Sequence, residues 1–189
     1  LGEIGCALSH RRVHEAAVEH GWRRTVVFED DVVPRAGDLA LLPAALSELP
    51  EGWDLCYLGY LKNDRPSAWD RAKRAAYVAL APLRLVRWRT GEALRLLPSP
   101  FSPRLRRAGL HACTHAYAVS LEGARKLAAA QRPVALRADW LLSSLILRGR
   151  LSAFVTEPRL FDQEGVGGAP GGADSLVHGG ARAAGDGPT

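Results

Sequence analysis

The sequence predicts an α/β domain with a mostly parallel or mixed sheet, and two patterns carry that prediction. Residues 3–20 have the apolar spacing of an amphipathic helix, and the short run 25–28 that follows is rich in β-branched and aromatic residues. The same alternation of strand and helix returns at 116–119 and 121–130. A continuously apolar strand next to a helix is typical of a sheet that helices cover on both faces. We therefore expect 26–28 to form an inner strand.

Further elements follow from helix caps, apolar runs and turn residues. In chain order they are a helix over 39–48, a strand over 54–58 that Gly59 ends, a helix over 140–148 that starts at Asp139, and a strand over 151–156. The segment 60–110 carries five of the twelve prolines and few clear periods, so we expect a long irregular excursion with one helix near 68–80.

Length and composition predict one globular domain over 1–163 and a Gly-rich tail over 164–189. Hydrophobic residues make up 47% of the 189 residues, which is enough for one packed core. Nine of the last 25 residues are glycines and no apolar period accompanies them, so we expect this tail to be disordered. The chain starts at Leu1 and contains no methionine, and we expect N-terminal sequence to be missing from it.

The cysteines and the hydropathy of the sequence indicate the cellular compartment. The three cysteines, Cys6, Cys56 and Cys113, are far apart and lie among apolar residues, as free thiols in a reducing compartment do. No apolar run approaches the roughly 20 residues needed to cross a bilayer. These features predict a cytoplasmic protein.

Positive charge is concentrated in one part of the chain. Segment 62–107 holds 12 Lys and Arg against 3 Asp and Glu, whereas the whole chain carries a net charge of +5. Such a segment favours an anionic partner, which can be a phosphate-bearing ligand, a lipid surface or a nucleic acid. A generally high arginine content is the alternative explanation. Because no nucleic-acid reading motif accompanies the charge, we expect peripheral contact with an anionic membrane at its inner face and no specific nucleic acid.

Three adjacent acids, Glu29, Asp30 and Asp31, follow the strand 25–28. In extended chain, Glu29 and Asp31 point to one side and Asp30 to the other. Adjacent carboxylates repel one another, and a nearby cation relieves that repulsion. Oxygen ligands of this kind suit Mn²⁺ or Mg²⁺. The alternative is a solvated turn whose acids cap a helix.

The acidic triplet and its neighbouring motifs resemble those of glycosyltransferase family 25. This family covers lipopolysaccharide and lipooligosaccharide galactosyltransferases and collagen galactosyltransferases. The resemblance spans about residues 2–163. It rests on Gly2-Glu3-Ile4-Gly5-Cys6-Ala7-Leu8-Ser9-His10, Trp22, Val27-Phe28-Glu29-Asp30-Asp31-Val32, Trp53-Asp54-Leu55, Leu58-Gly59, Thr114 to Ser120, Asp139-Trp140-Leu141, Pro158 and Gln163. Members of the family normally carry a first strand and helix before the Gly-Glu-Ile-Gly-Cys motif.

The resemblance implies a GT-A-like, Rossmann-type domain that lacks its N-terminal strand here. It also implies an inverting, metal-dependent transfer of a sugar, commonly galactose, from a UDP-sugar donor to a glycan or lipopolysaccharide-type acceptor. Asp31 would then be the ligand of Mn²⁺ or Mg²⁺, with Glu29 or Asp30 assisting. The Ser9-His10 pair would lie near the donor, although His10 could equally pack against the sheet.

An inverting transfer needs a general base opposite the leaving diphosphate. Asp139 is the first candidate because it stands at a predicted helix N-terminus, where the helix dipole favours an anion. A simple N-cap is its structural alternative, and Glu3 competes for the role of base. His115 precedes a predicted strand and could face the same cleft, whereas His178 lies in the Gly-rich tail.

Two other function classes remain open. A non-catalytic or incomplete glycosyltransferase-like domain would keep the core without donor binding. A basic nucleic-acid-binding module would use 62–107, where aromatic residues are interleaved with the charges. A receiver-like phospho-acceptor domain is disfavoured, because it needs acids from separate strands and a lysine after a late strand.

Overall fold

The computed structural model describes residues 2–164, and within them six α-helices accompany eight strands of one sheet. The helices are α1 (Gly2–Glu19), α2 (Leu42–Ser47), α3 (Ala68–Leu80), α4 (Thr90–Leu94), α5 (Leu121–Ala130) and α6 (Ala138–Leu147). The strands are β1 (Arg24–Phe28), β2 (Val32–Pro34), β3 (Leu55–Leu61), β4 (Ser99–Ser102), β5 (Leu105–Arg107), β6 (Ala112–Ser120), β7 (Ala153–Thr156) and β8 (Phe161–Gln163). Apart from Glu164, the predicted Gly-rich tail and its His178 lie outside the described residues.

The sheet is mixed, so the predicted α/β class is confirmed. Its main order is β1-β6-β3-β7-β5-β4, and β8 joins β2 to β3. Strand β6 runs antiparallel to both β1 and β3, whereas β3 and β7 are parallel. Strands β1, β3 and β7 therefore share one direction, and their carboxyl ends meet at one edge of the sheet.

The prediction that 26–28 form an inner strand is wrong. Within residues 2–164, β1 pairs with β6 alone and lies at the end of the sheet. Val27 points into the core, but Val26 is 41% exposed and Phe28 47% exposed. A run of apolar residues is typical of a strand covered on both faces, and here only one face is buried.

Helices cover one face of the sheet and a second apolar cluster covers the other. Strand β3 shows the division, because Leu55 and Tyr57 pack with α5 and α6, whereas Cys56 and Leu58 pack on the opposite side with Trp53 and Phe154. Its side chains from Leu55 to Tyr60 are all buried. This two-sided burial explains why β3 is apolar throughout rather than alternating.

The segment 60–110 is more ordered than its sequence predicts. Helix α3 confirms the helix expected near 68–80, and the side chain of Ser67 caps it by accepting from Asp70 N at 3.1 Å. The rest of the prediction is wrong, since the segment also forms α4 and the hairpin β4–β5, which joins the sheet through β7. These elements are three to five residues long, too short to show a period.

Other boundaries also differ from expectation. Gly59 lies inside β3 rather than ending it, and a Cβ at this position would stand 2.3 Å from His115 Nε2. The helix predicted over 39–48 is a 3-10 turn, Leu39–Leu41, followed by the shorter α2. None of the described helices is long and apolar enough to cross a membrane.

Helix α5 is fixed to the sheet at its first turn. Ser120 Oγ accepts from Gly123 N at 3.0 Å, which confirms the predicted cap. Gly123 lies directly on the backbone of Asp54, whose buried carboxylate accepts from Lys126 Nζ and Ser152 N, each at 2.8 Å. The approach of helix to strand is therefore set by the absence of a side chain at 123.

Replacing that glycine tests the packing. A Cβ at position 123 would lie 2.1 Å from the Asp54 carbonyl oxygen, so Gly123→Ala forces the backbone apart. We expect the free energy of unfolding to fall by about 1–3 kcal/mol, the usual cost of overpacking. Urea denaturation measures it. Gly5→Ala is the matched control, because a Cβ there meets nothing within 4 Å in α1 and alanine favours the helix by about 1 kcal/mol. Equal stability of the two variants would contradict the contact.

Candidate active site

The polar residues singled out in the sequence gather where the carboxyl ends of β1, β3 and β7 meet. In sheets of this kind ligands bind at that edge. The acidic triplet follows β1, and the antiparallel β6 begins beside it, because Glu29 N donates to His115 O at 2.9 Å. Helix α1 supplies His10 to the same place, where it bonds Glu29.

The three acids form a tight turn between β1 and β2 rather than extended chain. Val32 N donates to Glu29 O at 3.4 Å across this turn. Glu29 and Asp31 are half-buried and Asp30 is exposed. The predicted separation of Asp30 from the other two acids is thus observed, although a turn produces it and not the alternation of a strand.

Glu29 is held by two side chains from different elements. His10 Nε2 donates to its Oε1 at 3.1 Å, and Thr114 Oγ1 donates to the same oxygen at 2.7 Å. Burial disfavours the Glu29 anion, but these two hydrogen bonds outweigh it and hold the pKa of Glu29 below its ordinary value. Glu29 is therefore a fixed carboxylate and not a mobile surface acid.

Behind Glu29, a chain of hydrogen bonds runs into the core. Tyr117 OH lies 2.9 Å from His10 Nδ1 and 2.8 Å from His14 Nε2. Burial and the charge of His10 lower the pKa of His14 to about 4. Burial also disfavours the His10 cation, but its bonds to Cys6 and Glu29 prevail and raise its pKa to about 9. With both of its ring nitrogens protonated, His10 donates to the Tyr117 oxygen, and Tyr117 in turn donates to neutral His14.

Asp31 is held at one oxygen only. Gln163 Nε2 donates to its Oδ2 at 2.6 Å, whereas Oδ1 is buried and has no hydrogen-bond partner among the described residues. A buried carboxylate oxygen without a partner is costly unless something binds it. A hard cation such as Mn²⁺ or Mg²⁺ fits this oxygen, so Asp31 suits the role predicted for it.

The two candidate bases share one cation. Arg137 Nη1 donates to Glu3 Oε1 at 2.9 Å, and Arg137 Nε lies 3.8 Å from Asp139 Oδ1. Asp139 stands in the first turn of α6 and accepts from Trp140 N at 2.8 Å, but the N-cap is Arg137. The helix thus begins two residues before the predicted range 140–148, and the N-cap interpretation of Asp139 is wrong.

Cys113 lies among the acids of this edge. Burial, together with the charges of Asp139, Glu29 and Asp31, raises the pKa of its thiol to about 11. All three carboxylates are therefore close enough to act on one side chain. Cys113 also has a φ of +69°, and Lys62 and Asn63 at the end of β3 have φ values of +64° and +60°. Such left-handed residues without glycine cluster at functional sites.

The other predicted site residues are either exposed at the surface or buried in the core beneath the cluster. Ser9 and Asp30 are exposed. His115 is fully buried within β6, where its Nε2 lies 3.4 Å from Phe161 O, so it packs in the core and does not face the cleft. His14, Tyr117 and Thr114 were not predicted as site residues. The four-residue spacing of His10 and His14 on a helix was the signal for the first of them.

Comparison with known proteins identifies the family of the chain. The sequence model described as "Glycosyltransferase family 25 (LPS biosynthesis protein)" matches residues 1–142. The chain belongs to glycosyltransferase family 25.

Two relatives within family 25 show how similar the chain is to longer members of the family. The chain is 34% identical over 133 residues to the bovine "Probable inactive glycosyltransferase 25 family member 3" and to the human "Inactive glycosyltransferase 25 family member 3". Each match covers 69% of this chain and 18% of the relative. The chain thus spans about a fifth of the length of the curated relatives it matches.

The two histidines of this family 25 site predict opposite pH limbs of stability. The folded-state pKa of His10 is raised from 6.5 to about 9, so its contribution is complete below pH 6.5 and is lost as pH rises toward 9. The pKa of His14 is lowered to about 4, first by burial and then by the charge of His10, so its contribution is complete above pH 6.5 and is lost as pH falls toward 4. The free energy of unfolding should peak near pH 6.5.

Urea denaturation at pH 4.5 to 9.5, with a chelator present, measures this profile. His10→Gln should flatten the alkaline limb and leave the acidic limb in place. A stability of the unaltered protein that stays constant from pH 6.5 to 9 would show that His10 carries no extra proton.

Proposed function

We propose that this domain is the donor-binding part of an inverting glycosyltransferase that moves a sugar from a UDP-sugar to a glycan or lipopolysaccharide-type acceptor. Galactose is the first candidate for the sugar. The observation that supports donor binding best is Asp31, whose Oδ1 is buried and unpartnered beside an edge where three strands end. A buried carboxylate oxygen without a partner is costly unless a cation binds it.

Asp31 is the residue proposed to hold Mn²⁺ or Mg²⁺, and Gln163 orients it by its bond to Oδ2. A cation held there would supply positive charge that neutralises a diphosphate. Glu29 assists as a second carboxylate whose position His10 and Thr114 fix. Asp30 is exposed in the same turn and is available to a ribose hydroxyl.

Asp139 is the proposed general base. The acceptor hydroxyl gives its proton to the Asp139 carboxylate as its oxygen bonds the anomeric carbon, and the bond from that carbon to the diphosphate breaks. UDP leaves with the electron pair, and the sugar is inverted. Trp140 N and Arg137 hold Asp139 Oδ1 in place. Glu3, bonded to the same arginine, is the next candidate.

A non-catalytic domain is the competing proposal, and the names of the mammalian relatives favour it. Those proteins are called inactive or probably inactive, at 34% identity over part of their length. The two proposals differ in whether UDP binds and whether transfer follows.

Two substitutions in the full-length protein separate binding from chemistry. Asp31→Asn should abolish Mn²⁺-dependent UDP binding in calorimetry, because an amide oxygen carries no charge for the cation. Asp139→Asn should leave UDP affinity unchanged and lower turnover by roughly 10²–10⁴, the usual span for a general base. Thermal melting controls for folding in both variants.

Asp38→Asn is the matched control, since this half-buried acid bonds Arg35 and none of the proposed site residues. If the unaltered protein binds UDP equally with and without chelator, the metal role of Asp31 is wrong. If it binds no UDP, or binds UDP but transfers no sugar to any acceptor tested, the non-catalytic proposal replaces this one. Unchanged turnover in Asp139→Asn transfers the role of base to Glu3.

A membrane surface is the proposed place where the acceptor is met, and α3 carries the argument. Tyr77 and Val78 of α3 face the domain, whereas Trp69, Ala72, Ala76 and Leu80 form an exposed stripe on its other side. Trp69 is 75% exposed, and Leu83 just beyond the helix is 66% exposed.

Exposed cations border this apolar stripe, since Lys73 lies one turn after Trp69 on α3 and Arg84, Arg87 and Arg89 follow the helix. An apolar stripe bordered by basic residues is the pattern of a surface that lies on anionic lipid. Anionic headgroups are concentrated on the cytoplasmic leaflet, so we place the protein at the inner face of the membrane. Positive charge selects this occupant over an uncharged protein partner.

Vesicle flotation tests the membrane surface. Each Lys or Arg near an anionic bilayer contributes about 1 kcal/mol, so the double variant Lys73→Gln/Arg84→Gln should weaken binding to phosphatidylserine vesicles by about 2 kcal/mol at low salt. Arg12→Gln/Arg23→Gln, which removes two exposed charges elsewhere, should not. Equal binding to neutral and anionic vesicles removes the proposal, and concentration-dependent self-association lost in Trp69→Ser would assign the stripe to a second copy.

A further inference from the structure

A second group of potential metal ligands lies next to the acidic turn, and it differs from Asp31 in chemistry. Cys6, His10 and Glu29 each offer one ligand atom, and these atoms all lie within 4.8 Å of one another. Cys6 and His10 are four residues apart on α1, so they lie on one face of the helix. Glu29 reaches them from the end of β1. Sulfur, nitrogen and oxygen thus converge from two elements.

The residues around this group hold its side chains in place by hydrogen bonds, as the neighbours of metal-bound side chains usually do. A metal-bound histidine usually donates its other ring nitrogen to an oxygen, which fixes the ring. Here His10 Nδ1 lies 2.9 Å from the Tyr117 oxygen, and Tyr117 is itself anchored by His14. His10 Nε2 is thereby directed at Glu29, and Thr114 fixes Glu29 in turn. His10 and Tyr117 are buried, whereas Cys6 is half-buried and within reach of solvent.

We propose that Cys6, His10 and Glu29 bind a thiophilic divalent cation, with Zn²⁺ as the first candidate, at a site that shares Glu29 with the acidic turn but does not include Asp31. A thiolate and an imidazole select Zn²⁺ over Mn²⁺ or Mg²⁺, which prefer oxygen alone. Three protein ligands leave the fourth position of a tetrahedral zinc for water or another ligand. Neither the family nor the predicted Mn²⁺ role of Asp31 assigns this site.

Binding replaces protons by metal. The Cys6 thiol releases its proton to solvent, and the proton that joins His10 Nε2 to Glu29 leaves as the metal takes its place. The hydrogen bond from His10 Nδ1 to Tyr117 keeps its direction, because only the other ring nitrogen changes partner. The metal then ties the first helix to the acidic turn and stabilises the folded state in proportion to its occupancy.

Metal binding to the purified chain tests the site without any activity assay. Calorimetry with Zn²⁺, in excess Mg²⁺ to occupy oxygen-only sites, should show one zinc per chain with release of protons. Co²⁺ in the same site should give the ultraviolet charge-transfer absorption of a cobalt–thiolate bond. Cys6→Ser should abolish that absorption and weaken zinc binding by more than the roughly 10–100-fold that loss of an outer partner costs. Tyr117→Phe should weaken binding within that range.

Cys113→Ser is the matched control, because Cys113 is also half-buried and lies close to the same acids. It should keep full zinc affinity and the cobalt absorption. Asp31→Asn should keep both too, so that failure of this site and failure of the UDP-binding proposal are told apart. Circular dichroism of the metal-free variants shows whether each still folds.

Three outcomes would overturn the zinc site. The first is no zinc binding by the unaltered chain in excess Mg²⁺. The second is equal zinc affinity in Cys6→Ser when that variant folds normally, and Glu29→Gln provides the second test if it does not. The third is loss of zinc binding in Cys113→Ser or Asp31→Asn, which would assign the metal to the acidic turn alone.

Discussion

The hydrogen bonds that Glu29 accepts from His10 and Thr114 join three parts of the molecule at one carboxylate oxygen. Through them the first helix, the turn after β1 and the start of β6 take up fixed positions. A carboxylate bonded in this way can remain ionised although it is half-buried, because charge-assisted hydrogen bonds offset its lost hydration. The other candidate residues are placed relative to this point: Asp31 two residues along the turn, and Cys113 one residue before Thr114.

The mixed sheet explains why the site lies at one edge. Three strands that run the same way end there, and the antiparallel β6 brings its beginning to the same place. The pairing of β3 with β6 becomes irregular toward this edge, and left-handed conformations occur there at Lys62, Asn63 and Cys113. The buried core beneath, with Tyr57 and Tyr117 at its centre, holds such strained positions in place.

Much of the site and part of the fold could be predicted from sequence, for identifiable reasons. The capped helix α5 has a strong period and a clear start signal at Ser120, and it is observed. Helix α1 is observed too, but its buried face carries His10 and His14 with small alanines, and Leu8 of the predicted apolar face is exposed. The acidic triplet pointed to the edge of the sheet because acids after an apolar strand are chemically conspicuous. The hairpin β4–β5 could not be predicted, since strands of three and four residues carry no period and owe their pairing to contacts with β7.

The errors have physical reasons too. An apolar run does not reveal how many neighbours a strand has, so β1 was expected inside the sheet although it lies at the end. Gly59 suggested a stop because glycine weakens strands, but here its missing side chain makes room for His115. The partnership of Tyr117 with His10 and His14 joins residues more than 100 positions apart, and local patterns do not encode such a pairing.

The spacing of Cys6, His10 and His14 has a consequence for how the gene can vary. These side chains occupy one ridge of α1, and each residue of an α-helix turns the chain by about 100°. A single inserted or deleted codon between Cys6 and His14 would swing at least one of them out of the ridge, so the network would break as a unit rather than one bond at a time. Point substitutions can be tolerated along the outer face of α1, which carries Leu8 and Arg12. A change of length within this ridge should be among the rarest events in the history of the domain.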